Sequence, residues 1–281
     1  MKRLSTYLLL AFCLMMAVSA QQTKQLSILQ TSDTHSRIEP IDPHAADKYA
    51  GMAGVVRRAT FLKDYRSKHP DMLLFDCGDI SQGTPYYNFF RGEVEIKMMN
   101  LMKYDAMTIG NHEFDFGITN MARLFRMADF PVVCANYDVT GTELEGLVKP
   151  YILLERAGLK IGVFGLSPKM EGLVQADKCE GITYKDPVAT AREVTELLRN
   201  KEKCDIIICL SHLGIRSAKG ASDEKLISET DGIDVVLGGH SHTFMEKPGF
   251  YLSAGGKNVP LLHTGKSGIY VGELNLTLTA E

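Results

Sequence analysis

Ile206-Ile207-Ile208-Cys209-Leu210-Ser211-His212 decides how this chain is to be read. The apolar run reads as a buried strand, and it stops at a hydroxyl and an imidazole. Four other segments follow the same plan. Residues 26–29 lead to Asp33-Thr34-His35, and residues 72–75 to Gly78-Asp79. Residues 107–109 lead to Gly110-Asn111-His112-Glu113, and residues 235–237 to Gly239-His240-Ser241-His242. Open α/β sheets bind ligands outside the carboxyl ends of their strands. Polar clusters of metal-ligand type at five strand ends therefore point to one shared site holding two metal ions.

Between these strands the apolar residues recur at helical spacing. Helices are expected over residues 54–68, 88–102, 117–127 and 187–200, the last opening on Pro187, which suits a first helical turn. Further strands are expected over residues 131–135 and 160–164. After residue 250 the chain changes to strands and Gly-rich turns, with Leu274, Leu276 and Leu278 alternating as in an antiparallel strand with one wet face. The fold class expected is α/β: two mixed β-sheets packed as a sandwich, with helices on the outer faces. Residues 37–50, 169–181 and 216–221 are loop-like in composition.

Residues 1–20 read as a signal peptide. Lys2 and Arg3 precede an apolar run over residues 7–18, and Val18-Ser19-Ala20 forms a small-residue cleavage site before Gln21. That run is shorter than the roughly 20 residues a spanning helix needs. The expectation is a catalytic domain over residues 21–281, exported to the periplasm or secreted, with no membrane span after cleavage. Loss of Lys2 and Arg3 takes the formal net charge from −3 to −5, which argues against an electrostatic grip on nucleic acid. Cys77, Cys134, Cys179, Cys204 and Cys209 would remain, with no C-x-x-C spacing, and read as free thiols.

Asp33, His35, Asp79, Asn111, His212, His240 and His242 offer oxygen and imidazole nitrogen but no thiolate. Such donors suit Mn, Zn, Fe or Co as divalent cofactors, whose identity the residues leave open. Asp79 is the natural bridge, because a carboxylate has two oxygens for two cations. Paired ions clamp the attacking and leaving oxygens of a phosphoryl displacement. His112, with Asp115 three residues on, has the makings of a general acid oriented by a carboxylate; Asp115 could equally cap the following helix. His44, His69 and His263 read as ordinary surface or core histidines. Tyr86, Tyr87, Phe89 and Phe90 read as the apolar face of a helix start, with a partial cleft near Asp79 as the alternative. Gly265-Lys266-Ser267 is not a phosphate loop, since Pro260 occupies the position of the required earlier glycine.

Asp-x-His, Gly-Asp, Gly-Asn-His-Glu, a lone His after a strand and Gly-His-x-His, in this order, resemble the calcineurin-like metallophosphoesterases. The stretch Gly110-Asn111-His112-Glu113-Phe114-Asp115 is similar to the branch of secreted 5′-nucleotidases, UDP-sugar hydrolases and 2′,3′-cyclic phosphodiesterases. The resemblance implies that Asp33, His35, Asp79 and His242 serve one metal, and Asp79, Asn111, His212 and His240 the other, with His112 and Asp115 as the catalytic pair. The branch often carries Gln at the position of His242. It also implies a small-molecule phosphate ester as substrate, a nucleotide above all. Members of the branch usually continue into a second domain that stacks the base. Hence a separately encoded substrate-binding domain is one expected partner, and a hydrolase acting on a different bond is the alternative within the superfamily.

Overall fold

The computed structural model describes residues 23–218 and 220–279. The expected signal peptide lies outside them. The first half runs β1 (Thr23–Thr31), α1 (Val55–Lys68), β2 (Leu73–Asp76), α2 (Pro85–Phe90), α3 (Glu93–Met102), β3 (Ala106–Thr108), α4 (Gly117–Phe125), β4 (Val132–Val133), β5 (Tyr137–Asp138) and β6 (Val148–Lys149). The second half runs β7 (Tyr151–Arg156), β8 (Leu159–Leu166), β9 (Thr183–Tyr184), α5 (Pro187–Glu196), β10 (Ile206–Ser211), α6 (Asp223–Glu229), β11 (Val235–Gly238), β12 (Gly249–Leu252), β13 (Asn258–His263) and β14 (Gly272–Thr279).

Two six-stranded sheets result, in the orders β14-β1-β2-β3-β4-β6 and β12-β13-β11-β10-β8-β7. Their inner strands are parallel, as is the edge strand β6, while β14, β12 and β7 are antiparallel edges. Side chains alternate across each strand. Leu26, Ile28, Leu73 and Phe75 face Ile161, Val163, Ile206, Ile208 and Leu237 between the sheets. Leu29, Leu74 and Met107 turn outward to meet Leu62, Ile96 and Met121 of the helices. Ile207, Cys209 and Val236 do the same on the other side, against Val188, Ala191 and Leu226. Both faces of both sheets are thus covered, which is why the central strands are uninterrupted apolar runs. The four layers are those expected. Among the described residues no helix is long and apolar enough to cross a membrane.

Three local expectations change. Residues 88–102 are not one helix: Arg91 and Gly92 adopt left-handed backbone and break it into α2 and α3. The expected spacing also picks the wrong face: Phe89 and Leu101 are exposed, and α3 packs through Ile96, Met99 and Met102. Of the aromatics at this start only Tyr87 turns inward, while Phe89 is 80% and Phe90 50% exposed, so they do not form an apolar packing face. Asp115 does not cap α4, whose first turn has no side-chain cap. The hairpin strand β7 and the helix α6 are elements the sequence pattern does not announce. α6 is seven residues long, capped by the Ser222 hydroxyl, which accepts from the Lys225 N–H.

The described cysteines are free thiols, with Cys77, Cys134, Cys204 and Cys209 buried. Burial pushes the Cys134 thiol up to about 11, and those of Cys77 and Cys209 well above the ordinary range.

The sheets approach closely at Gly165 of β8. A Cβ there would overlap the Val133 carbonyl oxygen and Thr108 Oγ1 of the opposite sheet. Gly165→Ala is therefore expected to destabilise the fold by about 1–3 kcal/mol or more, as overpacking does. Urea denaturation of wild type and variant measures this; equal midpoints would show that the sheets are free to separate there.

Candidate metal centre

The loops that follow β1, β2, β3, β10 and β11 converge at one end of the sandwich. Parallel pairing extends past the strand ends, with the Asp33 N–H donating to the Gly78 carbonyl at 2.8 Å and the His35 N–H to the Asp79 carbonyl at 3.0 Å. Asp33, His35, Asp79, His240 and His242 all have positive φ, between 45° and 72°. Left-handed backbone is uncommon in residues with a side chain, and it concentrates where function over-determines the chain.

Two donor groups form. Asp33, His35 and His242 make one, and Asp79, His212 and His240 the other, each with ligand atoms within 4.8 Å of one another. His35 Nε2 lies 2.9 Å from His242 Nε2, and His242 Nε2 lies 3.5 Å from Asp33 Oδ1. His212 Nε2 lies 3.1 Å from Asp79 Oδ2 and 4.0 Å from Asp33 Oδ1, so the two groups adjoin. The Asp33 carboxylate also receives the His240 N–H at 3.0 Å, tying the β1 and β11 loops together.

The hydrogen bonds at the far side of each ring assign the tautomers. His212 Nδ1 donates to the Cys77 carbonyl at 2.5 Å, and His35 Nδ1 to the Ser81 carbonyl at 3.1 Å. In its neutral form each ring thereby turns a lone pair on Nε2 into the site. His212 Nε2 and Asn111 Oδ1 are buried without a hydrogen-bond partner. Inward-facing ring nitrogens and an orphaned buried amide oxygen fit cations. Electrostatics tell the same story. Burial, aided by Asp79, pushes the Asp33 carboxyl up to about 6. Burial pushes His240 and His242 down to about 4, with the neighbouring His212 and His35 adding to it. Burial opposes protonation of His212 as well, yet Asp79 and Asp33 raise it to about 10, so in the absence of a cation its Nε2 carries a proton that a metal ion would replace.

His112 stands at the rim, its ring 5.5 Å from that of His35. Its Nδ1 lies 3.2 Å from Asp115 Oδ1, and its backbone N–H donates to Asp79 Oδ1 at 2.9 Å. The Asp115 bond is the largest influence raising the His112 imidazole above its ordinary value. All nine residues singled out from the sequence therefore meet at this end of the sandwich.

Glu113 belongs to the Gly-Asn-His-Glu motif, yet the sequence assigns it no role of its own. Its buried carboxylate accepts the N–H groups of Asp79, Ile80, Ser81 and Gly110 at 2.9, 3.0, 3.3 and 2.6 Å. It thus holds the Asp79 loop against the Asn111 loop. A signal is present, since a glutamate beside apolar Phe114 on a buried turn needs several donors.

A four-layer α/β sandwich with adjoining carboxylate–imidazole groups at its strand ends defines a metallophosphoesterase. The chain belongs to the calcineurin-like phosphoesterase family, whose model matches residues 26–244. Among relatives, the snake venom 5′-nucleotidase of Crotalus adamanteus is 34% identical over 289 residues, covering 94% of this chain and 47% of that protein. The 5′-nucleotidase precursor of Thermus thermophilus superposes with a TM-score of 0.81 at 30% identity, over 89% of this chain and 51% of its own. The calcineurin-like phosphoesterase YfkN of Bacillus subtilis superposes with a TM-score of 0.74 at 30% identity, over 92% of this chain and 87% of its own. The chain thus spans about half the length of the 5′-nucleotidase relatives it matches.

Replacing Glu113 with Ala would leave buried N–H groups unpaired, at about 1–3 kcal/mol each before relaxation. Glu113→Ala is expected to lower the melting temperature by many degrees and to lose bound metal. A folded variant with unchanged melting and metal content would remove Glu113 from this role.

Proposed function

We propose that the chain is an exported phosphoesterase of 5′-nucleotidase type that works with two divalent ions. Asp33, His35, Asp79 and His242 would hold one ion, and Asp79, Asn111, His212 and His240 the other. The observation that supports this best is the pair of adjoining donor groups with inward lone pairs. When bound, the ions supply positive charge to the phosphate oxygens and lower the pKa of a water molecule.

The residues of the chain do the positioning. Asp79 is fixed by the His112 N–H on one oxygen and presents the other toward His212. His212 and His35 are locked in their tautomers by the Cys77 and Ser81 carbonyls. Asp115 orients His112 and favours its protonated form. Its other ring nitrogen is then the atom that stabilises the departing oxygen or delivers a proton to it.

The substrate class follows from the kinship with proteins named 5′-nucleotidases, and discrimination among nucleotides is assigned to a second domain. A separately encoded partner is one form such a domain can take.

Purified protein, with Mn or Zn added, should be assayed on AMP, UMP, ribose 5-phosphate and an aryl phosphate. All four should be hydrolysed with kcat/KM values within about tenfold of one another, since strong preference needs contacts that differ between substrates. No hydrolysis of any phosphate ester would refute the activity, and a strong preference for one nucleotide would place specificity within this chain.

Asp79→Asn is expected to abolish turnover and to lower metal content, because a shared anionic ligand is lost. Elemental analysis showing two ions per chain, with near-normal turnover, would overturn the shared role. His112→Ala is expected to keep both ions while losing about 10²–10⁴-fold in kcat. Loss of metal with little kinetic change would instead mark His112 as a ligand.

A further inference from the structure

Behind the centre lies a second polar cluster that the proposed reaction does not use. Ser211, Asp223 and His263 are each almost fully buried. The Ser211 hydroxyl donates to Asp223 Oδ1. His263 Nε2 donates to Asp223 Oδ2 at 2.7 Å. Ser211 Oγ also accepts the Leu213 N–H at 3.2 Å. The cluster contains a serine, a carboxylate and a histidine, but the carboxylate sits between the other two. The serine therefore has no base, and nothing in the arrangement makes it a nucleophile.

Its place in the sheet is what matters. Ser211, Gly238 and His263 lie on one rung across three adjacent parallel strands: Ser211 pairs with Gly238, and Gly238 with His263. Each is the last residue of its strand, β10, β11 and β13. Asp223, the first residue of α6, reaches across that rung and joins its two outer members. The middle member must be glycine for this to happen. A Cβ on Gly238 would overlap His263 Nε2 and stand 2.7 Å from Asp223 Oδ2. The Asp223 N–H in turn donates to the Gly214 carbonyl at 2.8 Å, fixing the loop just after His212. One residue beyond Ser211 is His212, and two beyond Gly238 is His240. Both belong to the same donor group, with Asp79.

We propose that Ser211, Asp223 and His263 form a positioning clamp that sets the spacing of His212 and His240, and so governs metal binding at the Asp79 half of the centre. The other half lies one step further from it, with Asp33 tied to the clamped segment through the His240 N–H and His242 two residues past His240. This rests on the two-ion reading above. The clamp acts through the strand ends and touches neither ion nor substrate.

The test is Mn titration of the full chain by calorimetry, with electron paramagnetic resonance to report coupling between two Mn ions. Wild type should bind two ions and show a coupled signal. Asp223→Asn removes the charge but keeps the shape. It should weaken one of the two sites by about 10–100-fold, as loss of a partner behind a ligand does, and affect the other far less. The coupled signal should give way to that of isolated Mn. His263→Gln retains a donor and should restore two-site binding to near the wild-type level, whereas His263→Leu should behave like Asp223→Asn. If Asp223→Asn does not fold, Ser211→Ala and His263→Leu each cut one arm of the clamp and carry the same expectation. A folded clamp variant that melts earlier but binds both ions with wild-type affinity would overturn the proposal, and so would equal weakening of both sites. Failure of wild type to bind two ions would instead refute the two-ion reading, and the clamp with it.

Discussion

The centre depends on one constraint: a buried glutamate with several backbone amides to satisfy it. Glu113 faces the turn after β2 from beneath, and the amides of Asp79, Ile80, Ser81 and Gly110 converge on it. Burial and the neighbouring Asp79 push its carboxyl upward, while the amides of Asp79 and Gly110 favour its charged form. Once the β2 and β3 loops are joined in this way, Asp79 has little freedom. A Cβ on Gly110 would overlap its carboxylate, so the loops meet with no room for a side chain between them. Everything else in the site is arranged around the carboxylate so placed.

The positive φ angles at five candidate donors belong with that constraint. A non-glycine residue in left-handed backbone costs about 1–3 kcal/mol and persists only where its surroundings insist on it. Here they do so through paired loops: Asp33 against Gly78, His35 against Asp79, and His240 against Asp33. The rigid sandwich beneath supplies the stability against which this strain is held. The arrangement is ready to receive cations without first having to fold around them.

Much of this was legible in the sequence, and the physical reason is plain. The central strands are buried on both faces, so their composition marks them, and each ends where the chain turns polar. Donors such as Asp33 or His212 therefore announce themselves by position. What escaped reading depends on contacts between distant segments. Glu113 looks like one more charged residue until four amides are seen to meet it. His263 looks like a core histidine until Asp223, forty residues away, is placed beside it. The break between α2 and α3 hides because exposed apolar residues, Phe89 and Leu101, continue a helical period across it without packing. Asp115 offered two roles, and only the fold could choose the one at His112.

The buried thiols bear on how such a chain reaches its native state. In the folded protein the sulfurs of Cys77, Cys134 and Cys209 are enclosed, and their pKa values lie far above neutrality. Almost no thiolate exists there to attack an oxidant or another sulfur. Before folding the same sulfurs are accessible and titrate normally. In an oxidising compartment their mispairing is then a race between collapse of the sandwich and encounter with an oxidant. The outcome is set by how fast the central strands assemble, and once they have done so the risk is over.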